Sequence, residues 1–332
     1  MLFRSGLKKG RAEPKTVPAK TEPPLVDMSA LLAKAGGCAA PGVESVNPES
    51  YLAWRSELMA DIDERSINWL WPGRIALGKL SMLAGDPGLG KSFLSCDLAA
   101  RVSTGQKWPD GRESQGAGDV LLLNAEDDPA DTIKPRLRAA RADMKRIRVM
   151  HAVDKGRLFS LDKHLCELAA CASMMPDLRL IIIDPVTAFV SGIDSHESAE
   201  VRQALTPLAE LAKYTGVAVL GVGHLNKGAG SAVYRVTGSL AWTAAARATW
   251  FVLKDPQDRD KRLLLPVKNN IGNDRIGMAY AINGFSDPPF VDWSPDPEER
   301  DIDAVLNSGP VPASAAAPVG DRRRGRMAGS VS

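Results

Sequence analysis

Residues 80–94 read Leu-Ser-Met-Leu-Ala-Gly-Asp-Pro-Gly-Leu-Gly-Lys-Ser-Phe-Leu, and this stretch decides the fold. Gly85, Asp86, Pro87, Gly88, Leu89, Gly90, Lys91 and Ser92 fit the phosphate-loop pattern G-x-x-x-x-G-K-[ST]. Leu80, Met82, Leu83 and Ala84 make a strand-like apolar run before the loop. Phe93, Leu94, Leu98 and Ala99 follow at helical spacing. The residue types match the chemistry. Glycines let backbone N–H groups wrap a polyphosphate at a helix N-terminus, where the macrodipole also favours anions. Lys91 reaches toward β- and γ-phosphates, and Ser92 is placed to ligate Mg²⁺.

Around the loop the middle of the chain alternates strands and helices. Strands are expected at Leu80–Ala84, Val120–Asn124, Arg146–Met150, Leu180–Asp184 and Val217–Val222. Helices are expected at Lys91–Thr104, Ala130–Ala142, Asp162–Met174 and Ala199–Tyr214. Val120-Leu-Leu-Leu and Leu180-Ile-Ile-Ile are unbroken apolar runs, as strands covered on both faces require. The pattern predicts a doubly wound, mainly parallel α/β sheet, with ligands beyond the carboxyl ends of its strands. Thr249–Lys254 and Leu263–Lys268 read as an antiparallel pair, which Met278–Ile282 and Phe290–Trp293 extend.

The chain has 332 residues, 42 basic against 40 acidic, with 44% apolar and 25% charged residues. That is ordinary for a globular protein, and no global charge announces a nucleic-acid partner. Cys38, Cys96, Cys166 and Cys171 form no C-x-x-C pair, so reduced thiols in a cytoplasmic protein are expected. No apolar run reaches the roughly 18 residues of a membrane span, so no membrane partner is expected. Residues 1–60 are expected to be a largely disordered arm, 61–295 the globular domain, and 296–332 a largely disordered tail. The tail carries Asp321-Arg-Arg-Arg-Gly-Arg326, either a solvated end or a weak phosphate contact.

Three strand ends carry candidate chemistry. Asp184 closes Leu180-Ile-Ile-Ile, either as a cap or as a Mg²⁺ ligand; the phosphate loop upstream favours the metal. Glu126, Asp127 and Asp128 follow Val120-Leu-Leu-Leu-Asn-Ala. Glu126, nearest the strand end, is the candidate for orienting an attacking water, and Asp128 the candidate helix cap before Pro129. His224 closes Val217-Ala-Val-Leu-Gly-Val-Gly and is placed to sense a γ-phosphate. A loop at 225–237 follows, flanked by the cations Lys227 and Arg235.

In combination these motifs resemble RecA-like ATPases, specifically the hexameric replicative helicase of broad-host-range plasmids and related phage or mobile-element ATPases of AAA type. Trp71-Pro-Gly-Arg-Ile-Ala-Leu-Gly-Lys-Leu-Ser-Met-Leu-Ala-Gly-Asp-Pro-Gly-Leu-Gly-Lys-Ser92 is similar to their entry strand and phosphate loop. Asn124-Ala-Glu-Asp-Asp-Pro resembles their catalytic-glutamate motif, and Arg136 matches an arginine they carry on the next helix. His224-Leu-Asn-Lys-Gly looks like their histidine sensor and glycine-rich loop. Gly238-Ser239 with Ala244-Ala-Ala-Arg247-Ala-Thr-Trp resembles the segment bearing their intersubunit arginine finger. Val267-Lys268-Asn-Asn270 resembles their late lysine strand. Many ring helicases carry an arginine two residues after that lysine. Asn270 stands there in this chain, so the finger role falls to Arg247.

The resemblance implies a RecA-like fold, ATP and Mg²⁺ as ligands, and a homo-oligomer, in the family a hexameric ring. It implies Glu126, Arg247, His224 and Lys268 as catalytic residues. It implies Gly85 to Phe93 with Arg136 around the nucleotide, and Ser92 with Asp184 at the metal. Lys227 and Arg235 would face the ring channel and track single-stranded DNA. The implied activity is an ATP-driven motor on single-stranded DNA, a replicative helicase of a plasmid, phage or mobile element, with a primase or replication initiator as partner. Two alternatives stay open: a nucleotide-switched DNA-binding or recombination-mediator ATPase, and a protein-binding signalling ATPase.

Overall fold

A computed structural model of the chain describes residues 58–154, 157–161, 163–190, 198–224, 240–284 and 287–308. The order of elements explains how one sheet gathers the strand ends. A hairpin of β1 (Trp69–Trp71) and β2 (Ile75–Ala76) leads into β3 (Leu80–Gly85), and the phosphate loop joins β3 to α1 (Lys91–Thr104). β4 (Asp119–Asn124) is followed by a π-helical turn, Pro129–Ile133, that continues into α2 (Lys134–Ala139). Then come β5 (Ile147–His151), a small pair β6 (Val153–Asp154) and β7 (Arg157–Leu158), α3 (Leu165–Ser173) and β8 (Leu178–Asp184). α4 (Ser198–Thr215), β9 (Ala218–His224), α5 (Leu240–Ala245) and β10 (Ala248–Lys254) complete the alternation. β11 (Lys261–Asn269), β12 (Gly277–Asn283), β13 (Phe290–Glu298) and α6 (Ile302–Asn307) close the described fold.

The main sheet has the order β13-β12-β11-β10-β3-β9-β8-β4-β5. From β10 to β5 all neighbours are parallel, and from β10 to β13 all are antiparallel. The expected doubly wound sheet with an antiparallel C-terminal extension is therefore present. One detail differs. β10 was expected to open the antiparallel extension, but it pairs parallel with β3 on its other side. A helix-containing connection rather than a hairpin delivers it, and such a connection permits parallel entry.

Burial follows the pleat. Leu180 and Ile182 of β8 face one core with α1, while Ile181 and Ile183 face the other with α3 and α4. Successive side chains of a strand point to opposite faces, so a strand covered on both sides needs apolar residues throughout.

The helix expected at 130–142 is shorter and less regular than its pattern suggested. It is a π turn with Pro129 at its start, then α2, which ends at Ala139. A Schellman arrangement stops it: Ala142 N–H donates to the Leu137 carbonyl and Arg141 N–H to the Arg138 carbonyl.

The expected boundary at residue 295 is corrected outward. It falls inside β13, and α6 beyond it buries Val305 against the core. Arg300 fixes this end. Its guanidinium is bidentate to Asp255, at 2.8 and 2.7 Å, and bonds both Glu298 oxygens at 2.8 and 2.9 Å. Hydrogen bonds from Arg300 hold the Asp255 and Glu298 carboxyls below their usual range. Most of the expected N-terminal arm, the Arg322–Arg326 cluster and the loop bearing Lys227 and Arg235 lie outside the described residues.

Candidate active site

The register of four neighbouring strands builds the site. Gly85 at the end of β3 pairs with His224 at the end of β9, and Asn124 at the end of β4 pairs with Asp184 at the end of β8. Since β9 and β8 are themselves neighbours, all four ends open on one edge of the sheet. The candidate residues that the sequence puts at strand ends lie along this edge.

The loop conformation suits an anion. Gly90 is the N-cap of α1 with φ 84°, and no side chain caps the helix. The first N–H groups of α1 therefore have no side-chain acceptor at the cap. Lys91 is 6% exposed, and its ammonium donates to the carbonyls of Gly85 and Asp86 at 2.8 and 3.0 Å. Burial lowers the Lys91 pKa, against the opposing pull of Asp184, Asp86 and Glu126. An incoming polyphosphate would favour the charged ammonium and offset that burial.

Asp184 is 7% exposed, and the Ser95 hydroxyl donates to it at 3.2 Å. Burial raises its pKa, while the Ser92 and Ser95 hydroxyls and Lys91 oppose the rise. A buried carboxylate beside a loop hydroxyl fits a Mg²⁺ ion, which keeps several waters and takes phosphate oxygens. Among the described residues no group of three or more His, Cys, Asp or Glu side chains is placed to hold a metal ion.

Glu126 sits on a turn fixed by Asn124, whose side-chain oxygen accepts from the Glu126 and Asp127 N–H groups at 3.0 and 2.7 Å. Its carboxylate is exposed and faces His224, Oε1 to Nε2 3.9 Å. On its other side His224 places Nδ1 3.4 Å from the Lys91 ammonium. An ammonium has no acceptor, so Nδ1 accepts and Nε2 carries the proton toward Glu126. Burial first, then Lys91, lowers the His224 pKa and keeps the ring neutral. Asp128 caps the following turn, accepting from Ala130 and Asp131 N–H groups, as expected.

The remaining expected site residues are placed as follows. Arg136, expected at the nucleotide, bonds Asp127 at 2.6 Å, stacks 4.5 Å over the Phe93 ring and lines a small cavity with Ser92 and Asp184. Its guanidinium thus ties the Glu126 turn to the start of α1. Within the chain, Arg247 and Lys268 lie away from the phosphate loop, and for Arg247 the expected role is on a neighbouring subunit. Ala248 pairs with Ser81 and Val252 with Gly85, so Arg247 stands at the amino end of the sheet. That is roughly 16 Å of strand from the loop it would serve. Arg247 is exposed in the single chain. Lys268 donates to the carbonyls of Thr243, Ala244 and Ala246 at 2.8, 3.3 and 2.9 Å. Its position and its partners make it a C-terminal cap of α5. Burial and Arg247 both lower its pKa.

The sequence reading missed the buttress behind the loop. The buried Tyr280 hydroxyl of β12 reaches the Leu89 carbonyl at 3.4 Å, and a Cβ at Gly90 would run into Ile282. Only the strand order, which seats β12 near β10, reveals this contact. Ser95 was also missed, although its i+3 spacing from Ser92 was a usable signal.

Comparison with known proteins places the chain among relatives. A family model described as an AAA domain (AAA_25) matches residues 47–230. A DNA repair protein RadA of Halalkalibacterium halodurans is 28% identical over 189 residues, which is 56% of this chain and 36% of that protein. A DNA repair protein RadA of Bacillus subtilis is 24% identical over 204 residues, 60% of this chain and 38% of that protein. The chain thus spans little more than a third of either relative. A solved structure of an ATPase domain matches with a TM-score of 0.46 at 14% identity, covering 62% of this chain and 81% of that one. No helix among the described residues is long and apolar enough to cross a membrane.

Proposed function

The chain belongs to the AAA domain family, within the RecA-like P-loop ATPases, and from that premise we propose that it is an ATP-hydrolysing motor acting on single-stranded DNA. The observation that carries the proposal is the convergence of Lys91, Asp184, His224 and the Glu126 turn at four adjacent strand ends. Lys91 and the N–H groups of the loop bind the β- and γ-phosphates. Ser92 and Asp184 would hold Mg²⁺, which neutralises developing phosphate charge when bound. Glu126 orients the attacking water and accepts its proton. His224, joined to both Lys91 and Glu126, reports whether the γ-phosphate is present.

Arg247 enters as a finger from a neighbouring subunit. Its exposure and its distance from the loop of its own chain support action in trans, and hence a homo-oligomeric ring. The DNA contact in this proposal is the glycine-rich loop with Lys227 and Arg235, which lies outside the described residues. A second reading is a recombination-mediator ATPase that does not unwind DNA. It is favoured by the two relatives named as DNA repair proteins. ATP turnover and strand displacement, measured with and without single-stranded DNA, divide the readings. Displacement supports the motor. Stimulated turnover without displacement supports the mediator, and turnover indifferent to DNA overturns both.

A further inference from the structure

Residues 131–151 hold seven Lys or Arg side chains against two carboxylates, in a chain that is nearly neutral overall. The structure divides these cations into two groups. Arg136 and Arg146 are paired, with Asp127 and with Asp119 and Asp177. Lys134, Arg138, Arg141, Lys145 and Arg148 are exposed, and among the described residues none has a side-chain partner. Lys134 and Arg138 stand one turn apart (i, i+4) on α2, and Arg141 follows just past the end of that helix. Lys145 continues the run in the next turn, and Arg148 lies on the edge strand β5.

Two features of this run oppose local stability. Like charges at i, i+4 repel on a helix. Arg141 also occupies the left-handed position of the Schellman cap, with φ 61°, where glycine is the relaxed residue. The only two carboxylates in the stretch do not neutralise the run. Asp143 accepts the Lys145 N–H, and Asp131 accepts the Thr132 hydroxyl.

We propose that this surface, formed by Lys134, Arg138, Arg141 and Lys145, binds the phosphate backbone of a nucleic acid outside the glycine-rich loop. The charge complementarity is direct: exposed, unpaired cations gathered within a short segment meet a polymer of phosphates. Arginine forks suit phosphate oxygens. A membrane surface fits less well, because such sites combine cations with large apolar side chains. Among the described residues, no large hydrophobic in 131–151 is exposed. The inference shares a nucleic-acid partner with the proposed function, but it uses none of that function's site residues.

The test measures affinity of the full chain for a single-stranded and a duplex oligonucleotide across a salt series, without nucleotide, with basal ATP turnover alongside. Replacing Lys134, Arg138, Arg141 and Lys145 by alanine should leave basal turnover unchanged. It should flatten the log–log salt slope by about 2.8 on single strands or about 3.6 on duplex. The arm with the larger loss identifies the bound form. Arg141→Gly is the second variant. It relaxes the backbone, so thermal stability should hold or rise while the slope falls by about 0.7 to 0.9. Unchanged affinity and slope in both variants would overturn the proposal. So would loss of binding to anionic phosphatidylserine vesicles with oligonucleotide binding intact. Absence of wild-type turnover would count against the ATPase reading alone, because the salt series needs no hydrolysis.

Discussion

His224 Nε2 stands 3.9 Å from Glu126 Oε1, so the histidine that touches Lys91 also faces the carboxylate proposed to orient water. The pair links phosphate binding to water activation through one side chain. Glu126→Gln should therefore keep ATP binding and lose turnover. The amide keeps the shape but loses the base, a contribution of ~10²–10⁴ in rate. Nucleotide affinity by fluorescence titration and turnover by phosphate release check both halves; a loss below about tenfold would move the role to another group. On the acid side, burial and Lys91 hold His224 below its ordinary 6.5. Its neutral form should persist to below pH 6.5, and turnover that depends on it should fall only as pH drops through that lower value.

Arg136 gives a sharper discrimination. The sequence reading put it at the nucleotide; its salt bridge to Asp127 and its stacking on Phe93 support a positioning role for the Glu126 turn instead, and the two roles predict different kinetics. Arg136→Ala should then lower kcat about tenfold or more and leave the KM for ATP nearly unchanged. A misplacement of about an ångström can cost ~10²-fold. A raised KM with kcat preserved would return Arg136 to the nucleotide.

Arg300 predicts an acid-sensitive latch. Its hydrogen bonds depress the pKa values of Asp255 and Glu298 below their ordinary 3.8 and 4.5. A depressed carboxyl stabilises the fold above the unfolded value and loses that contribution as pH falls through the folded value. Arg300→Met should cost roughly 1.5–3 kcal/mol at neutral pH. It should also flatten the fall in stability between about pH 4.5 and the lower folded values. Urea denaturation across pH measures this, and parallel curves for variant and wild type would remove the latch.

Much of this was legible in the sequence because it lies in local pattern. The phosphate loop, the unbroken runs of β4 and β8 and the polar residues closing β8 and β9 all report their own surroundings. The match of the family model to residues 47–230 agrees with the RecA-like ATPase resemblance those motifs suggested. The contacts the sequence hid are those made between distant segments. Tyr280 meets Leu89 only because strand order brings β12 close, and Arg136 finds Asp127, nine residues upstream, only because the turn after β4 folds back toward α2. Lys268 entered through its motif, and its partners, the carbonyls at the end of a helix, depend on the whole sheet.

Arg247 tests assembly. Its place at the amino end of β10 puts it out of reach of Lys91 in the same chain. Arg247→Ala should keep ATP bound and cut turnover, by as much as ~10³–10⁵ if it is a finger. Mixing Arg247→Ala subunits with Lys91→Ala subunits should restore part of the activity, since one supplies the loop and the other the arginine. No recovery under conditions of subunit exchange, with Arg247→Ala alone inactive, would assign Arg247 a role within its own chain.

The most direct test of the site is ATP turnover by Lys91→Ala, with nucleotide affinity measured on the same preparation. Lys91 is buried at the centre of the loop, bonded to Gly85 and Asp86 and touching His224. Removing its ammonium should abolish hydrolysis and weaken ATP binding while the circular-dichroism spectrum and melting transition stay close to wild type. Near-normal turnover in that folded variant would contradict the account.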